Sequence, residues 1–118
     1  MQVPETHYAR VDDLRIAYQT WGDGPRLLIC PDLISHVEIM WEHELYRRSL
    51  EHLGKHMTCA FFDKRGIGLS DRFDEVPTLR QRIGDIVAIM DALGWESAHF
   101  LGQSEGGAMG QLFTADFP

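Results

Sequence analysis

Long hydrophobic runs are missing from this chain of 118 residues. No stretch approaches the roughly 18 apolar residues that a membrane span needs. The first ten residues, "MQVPETHYAR", lack the apolar centre of a signal peptide. No membrane partner is expected, and the location expected is cytoplasmic. Cysteine is scarce: Cys30 and Cys59 are the two present, with neither a C-x-x-C spacing nor a Cys-His pair at ligand spacing. That excludes a disulfide framework, leaves no metal site and no cofactor to expect, and suits a reducing compartment. Each cysteine lies in an apolar run, "RLLIC" or "MTCAFF", and is expected to be a buried free thiol. Positive charge is also short, with 11 Lys and Arg against 18 Asp and Glu and a net charge of -7. Arg47, Arg48, Lys64 and Arg65 are diluted by acids, so nucleic acid is not an expected partner. A small-molecule ligand is.

What remains is the composition of one globular domain, 44% hydrophobic and 25% charged. "THYARVDDLRIAYQTWGDGP" alternates apolar and polar residues and predicts a hairpin turning at Asp12 and Asp13. "RLLIC", stopped by Pro31, is a short continuous apolar run, the pattern of a strand buried on both faces. Trp41, Leu45, Ser49, Leu50 and Leu53 then recur at helical spacing, with Gly54 as a stop signal. "MTCAFF" repeats the buried-strand pattern, and "DKRGIGLSDRFDEVP" predicts a polar, glycine-punctuated loop. Thr78 and Gln81 form a capping box before Leu79, Ile83, Ile86, Val87, Met90 and Leu93, which share one helix face closed by Gly94. "SAHFLG" predicts a third buried strand, and a further helix runs to about Asp116. Alternating strands and helices define an α/β class: a mainly parallel sheet of five strands with three helices distributed over both faces.

The stretch "HFLGQSEGGAMGQLF" carries the chemistry. Gly102-Gln103-Ser104-Glu105-Gly106 matches G-x-S-x-G, the nucleophile elbow, in which a sharp strand-to-helix turn lifts a serine hydroxyl clear of the sheet. The glycines on either side let strand and helix cross closely, and the Glu105 NH opens the helix towards a developing oxyanion. A chain of this length contains the bare pattern by accident roughly 4% of the time. Here the required buried strand precedes it and an apolar-periodic helix follows. The Glu105 side chain is expected to point to solvent.

With these motifs the chain resembles the α/β-hydrolase fold family over nearly its whole length. "DKRGIGLSDR" is similar to the family's loop after its fourth strand, with Asp63, Arg65, Gly66, Gly68, Ser70 and Asp71 at the D-x-R-G-x-G-x-S-D positions. This loop is expected to be scaffold, its glycines permitting the turns and Arg65 pairing locally with Asp71. "SHVEIMWEH" with "GQSEGG" is similar, more narrowly, to hydrolase-like domains at the N-terminus of some bacterial nucleotide cyclases and regulators. The resemblance implies Ser104 as nucleophile, the NH groups of Leu33 and Glu105 as oxyanion hole, and a triad in chain order Ser, acid, His.

The chain departs from that pattern in two places. Pro31-Asp32 stands where family members usually carry His-Gly, and a carboxylate at Asp32 opposes oxyanion stabilisation. No acid and histidine pair follows on strands beyond Ser104, so the expectation is an N-terminal portion of the domain, completed by a C-terminal chain or self-associated through its unpaired edge strand. His36 is the one upstream histidine on a loop bordering the site. Two functions stay open: a serine hydrolase for ester or related acyl substrates, weak or inactive alone, and a non-catalytic hydrolase-like module that senses a ligand. A degenerate fragment is the third reading.

Overall fold

The computed structural model describes residues 1–72 and 75–118, and residues 73 and 74 of the expected polar loop lie outside the described residues. In chain order, β1 is His7–Val11, β2 Leu14–Gly22, β3 Arg26–Cys30, α1 Glu44–Gly54, β4 Thr58–Phe62, α2 Leu79–Leu93, β5 His99–Gly102 and α3 Glu105–Asp116. The sheet runs β1-β2-β4-β3-β5. β1 and β2 form the expected hairpin through Asp12 and Asp13, and β2 continues antiparallel onto β4. β3 lies parallel between β4 and β5, with Cys30 opposite Gly102.

The period of two along each strand sorts side chains onto two faces. Ile16, Leu28 and Phe62 meet Ile86, Ile89 and Met109 under α2 and α3. Ala17, Ile29 and Phe61 meet Trp21, Trp41 and Leu50 on the α1 side. β3 and β4 are thus buried on both faces, and each full Leu, Ile or Phe burial contributes roughly 1.5–3 kcal/mol; β5, expected to be buried, is the edge strand beside β3, and its Leu101 is exposed. The indole N–H groups of Trp21 and Trp41, two of the three buried tryptophans, find partners. Trp21 donates to the Leu50 carbonyl at 2.9 Å, and Trp41 donates to Gln19 Oε1 at 2.7 Å.

The second helix forms as its sequence predicts. Thr78 Oγ1 accepts from the Gln81 NH at 3.1 Å, Gln81 Oε1 accepts from the Thr78 NH at 2.8 Å, and Gly94 closes the helix at φ 70°. The first differs. Trp41 does not belong to α1 but to a separate 3-10 turn, Ile39–Glu42, because His43 between them is extended. The apolar stripe is split there, and Leu45 stays exposed. Gly54 is the last residue of α1 rather than a left-handed stop. A Cβ on it would meet Trp21 Cδ1 at 2.7 Å, so its glycine serves the packing of helix against strand.

Candidate active site

The parallel pairing of β3 with β5 brings the loop after β3 and the turn after β5 to the same end of the sheet. The Gln103 NH donates to the Cys30 carbonyl at 3.2 Å, tying the two together. A Cβ on Gly102 would meet the Gly106 carbonyl oxygen at 2.5 Å, and one on Gly106 would meet the carbonyl oxygens of Cys30 and Pro31 at 2.6 and 2.7 Å. Contacts under 3 Å exclude any other residue without a backbone shift. Both glycines therefore serve a close crossing of strand and helix.

Ser104 sits on that crossing with φ 53° and ψ -113°, a left-handed-side conformation costing a non-glycine residue about 1–3 kcal/mol. It is exposed, and among the described residues no side chain hydrogen-bonds its hydroxyl. It stands at the N-cap position of α3 without capping it. The Gly106 and Gly107 NH groups bond back to the Gln103 and Ser104 carbonyls at 2.8 and 2.9 Å, whereas the Glu105 NH takes no partner among the described residues. An unpaired NH at a helix start, beside a presented hydroxyl, is the arrangement that can hold a developing oxyanion.

The other expected donor is engaged. The Leu33 NH donates to Asp32 Oδ1 at 2.6 Å. His36 is engaged too: its Nδ1 accepts from the Glu38 and Ile39 NH groups at 3.2 and 3.1 Å, which leaves the proton of a neutral ring on Nε2 and starts the 3-10 turn. Between this loop and the elbow lies a cleft of about 290 Å³ lined by Asp32, Ile34, His36, Met40, Tyr46 and Gln103. A second cleft, of about 350 Å³, lies on the far side of Leu33, with Lys64, Ile67, Val76, Arg82 and Glu105 in its wall.

The Glu105 side chain corrects an expectation. It does not point to solvent but lies between two cations, with Lys64 Nζ 3.4 Å from Oε2 and Arg82 paired to Oε1. Lys64 comes from the residue pair after β4 and Arg82 from α2, so three separate elements meet at one carboxylate. Neither cation belongs to the elbow motif, and no spacing in the sequence marks them as its neighbours. Their juxtaposition arises from the fold.

The loop after β4 is built inward. Asp63 is fully buried and accepts from Ser35 Oγ at 2.6 Å, the Val37 NH at 3.1 Å and the Leu69 NH at 2.9 Å. Ser70 Oγ donates to the Asp63 carbonyl at 2.6 Å and accepts from the Ala17 NH at 2.9 Å. The expected pairing of Arg65 with Asp71 does not form. Arg65 instead binds Asp85 of α2 in a buried fork at 2.6 to 3.2 Å, and Asp71 binds Arg15 of β2 at 3.2 Å. Burial pushes the Asp85 carboxyl up, against the pull of Arg65. The Arg15 side chain and NH hold Asp71 below the usual carboxylate range.

Both cysteines are buried free thiols. Burial pushes Cys30 up to about 12 and Cys59 up to about 11, so neither is a thiolate at neutral pH. No helix of the described residues is long and apolar enough to cross a membrane.

No family model matches the chain. A curated protein provisionally named carbamate hydrolase RutD, from Caulobacter vibrioides, is 42% identical over 72 residues, which is 58% of this chain and 26% of that protein. A solved structure from Nostoc sp PCC 7120, described provisionally as an alpha/beta hydrolase, superposes with a TM-score of 0.80 at 26% identity. It is covered over 98% of this chain and 39% of its own. A hydrolase from Pseudomonas aeruginosa PA01 superposes with a TM-score of 0.79 at 30% identity, over 91% of this chain and 39% of its own. The chain has the α/β-hydrolase fold. It spans about two fifths of these solved chains, and its match to the curated relative spans about a quarter of that protein.

Proposed function

We propose that this chain is the nucleophile-bearing portion of a serine hydrolase acting on an ester or a related acyl compound, a carbamate included. The observation that carries the reading is Ser104, strained and exposed between two glycines whose replacement would force a backbone shift, with the free Glu105 NH beside it. Ser104 attacks the acyl carbon, the Glu105 NH holds the oxyanion, and the serine proton passes to a base. Gly102 and Gly106 hold the turn. The base and its orienting acid come from further polypeptide, in the same chain or in a complementing one, since His36 already serves the 3-10 turn through Nδ1. The carbamate hydrolase named among the relatives widens the substrate class from esters to carbamates without choosing between them.

A second reading has its own observation. Asp32 occupies the Leu33 NH and leaves a carboxylate beside the site, which favours a hydrolase-like module that binds a ligand without turning it over. The experiment is labelling with a fluorophosphonate, read by intact mass and peptide mapping. Label on Ser104, absent from Ser104→Ala, supports the hydrolase. A folded chain that neither labels nor releases product from an aryl ester, alone or with a complementing C-terminal polypeptide, supports the binding module.

A further inference from the structure

The acid that follows the serine poses a problem for the reading just given. A carboxylate at residue 105 opposes the oxyanion that the backbone NH of the same residue is aimed to hold. The contacts of that carboxylate answer it. Lys64 Nζ lies 3.4 Å from Glu105 Oε2, and Arg82 pairs with Oε1. The Lys64 side chain is only 4% exposed, against 27% for Glu105 and 23% for Arg82. The chain has one other lysine, Lys55, and that one is exposed.

A buried ammonium is rare without a partner, because leaving water disfavours its charged form. Burial first, and then the Arg82 cation, push Lys64 below the ordinary lysine range, and the Glu105 carboxylate lies against its ammonium. Lys64 therefore faces the carboxylate that follows the serine, Glu105 on α3. Its own neighbour Asp63 turns the opposite way, towards Ser35 and Val37. Successive residues at the end of a strand point to opposite faces, so the residue after Asp63 is the one that the fold delivers to the elbow.

We propose that Lys64 is a positioning residue of the Ser104 site: with Arg82 it holds the Glu105 carboxylate in the cleft beside Leu33 and cancels its charge where the oxyanion forms. The inference rests on Ser104 being a nucleophile. Lys64 touches no reacting atom and is not the base, since its ammonium is committed to Glu105. It acts through the field at the helix start.

The test is the second-order rate of fluorophosphonate labelling of Ser104 in the 118-residue chain and three variants. Lys64→Met leaves Glu105 with Arg82 alone and is expected to label about tenfold more slowly. Glu105→Gln removes the opposing charge and is expected to label about threefold faster. The double variant Lys64→Met with Glu105→Gln has no charge to cancel, and its rate returns to within about threefold of the parent. A double variant as slow as Lys64→Met means that Lys64 supports packing alone, and overturns the proposal. So does a folded Lys64→Met chain that labels at the parent rate. If Lys64→Met does not fold, Glu105→Gln decides, and a rate no faster than the parent overturns it. A parent that labels neither alone nor with a complementing C-terminal polypeptide removes the serine reading and this inference together, whereas labelling that ignores all three variants removes this inference alone.

Discussion

The loop from Asp63 to Arg72 and the turn from Gly102 to Gly106 look alike in composition, each a short polar stretch punctuated by glycines at the end of a parallel strand. Their physical states are opposite. In the loop the residues with positive φ are glycines, Gly66 at 81° and Gly68 at 55°, and the polar side chains return to the protein: Asp63 to three donors, Ser70 to two partners, Arg65 to Asp85. In the turn the residue with positive φ is a serine, and its hydroxyl has no partner among the described residues. A motif whose polar groups are all satisfied inward explains itself by stability. A motif that holds a strained residue with a free hydroxyl does not, and that difference separates scaffold from site where the glycine count cannot.

The contrast breaks most severely at Arg65. Replacing it with Met strands Asp85, which is 1% exposed, without a cation, and removing one member of a buried pair costs about 3–5 kcal/mol. Urea unfolding should show that loss, and Arg65→Met with Asp85→Leu should recover most of it. A loss under about 1 kcal/mol would mean that the loop is not the scaffold its bonding implies. Next in size is Gly106→Ala. Its Cβ would enter the space of two carbonyl oxygens at 2.6 and 2.7 Å, and such overpacking costs about 1–3 kcal/mol. Because the shift must move the elbow, Ser104 labelling should slow in the same variant, which thermal melting and mass spectrometry can follow together.

The elbow itself tests the strain. Ser104→Gly lets the backbone adopt φ 53° freely, so it should gain about 1 kcal/mol while losing all labelling. Ser104→Ala keeps the Cβ and should lose labelling without that gain. Equal stability in the two variants would indicate that the turn is not strained.

Much of this was legible beforehand, and the limits have physical causes. The α/β order, the hairpin at Asp12 and Asp13 and the capping box at Thr78 are written in local patterns, and the fold reproduces them. Trp41 fell on the wrong side of a helix start because an extended His43 leaves no trace in an apolar stripe. Gly54 resembled a stop signal, yet its role is a contact with Trp21, more than thirty positions away in the chain. The partners of Arg65, Asp71 and Glu105 were misjudged for one reason. Local pairing was expected of Arg65 and Asp71 and solvent of Glu105, whereas Asp85, Arg15, Lys64 and Arg82 reach them from other elements. Charge pairing across a sheet carries no short-range signature.

The smallest effect concerns the rim of the scaffold loop, where Asp71 meets Arg15. The Arg15 side chain and NH lower the Asp71 carboxyl below its unfolded value, which lies near 3.8. A carboxyl depressed in the folded state contributes stability that is complete above its unfolded value and disappears as pH falls through the folded one. The stability difference between the parent and Asp71→Asn should therefore be constant above about pH 4 and shrink below it. Urea midpoints measured from pH 6 downward give the profile. The pair is solvent-exposed, so added salt should flatten that profile, whereas the fork between Arg65 and Asp85, shielded from solvent, should respond much less. A salt response of equal size at both pairs would erase the distinction between the buried heart of the loop and its exposed edge.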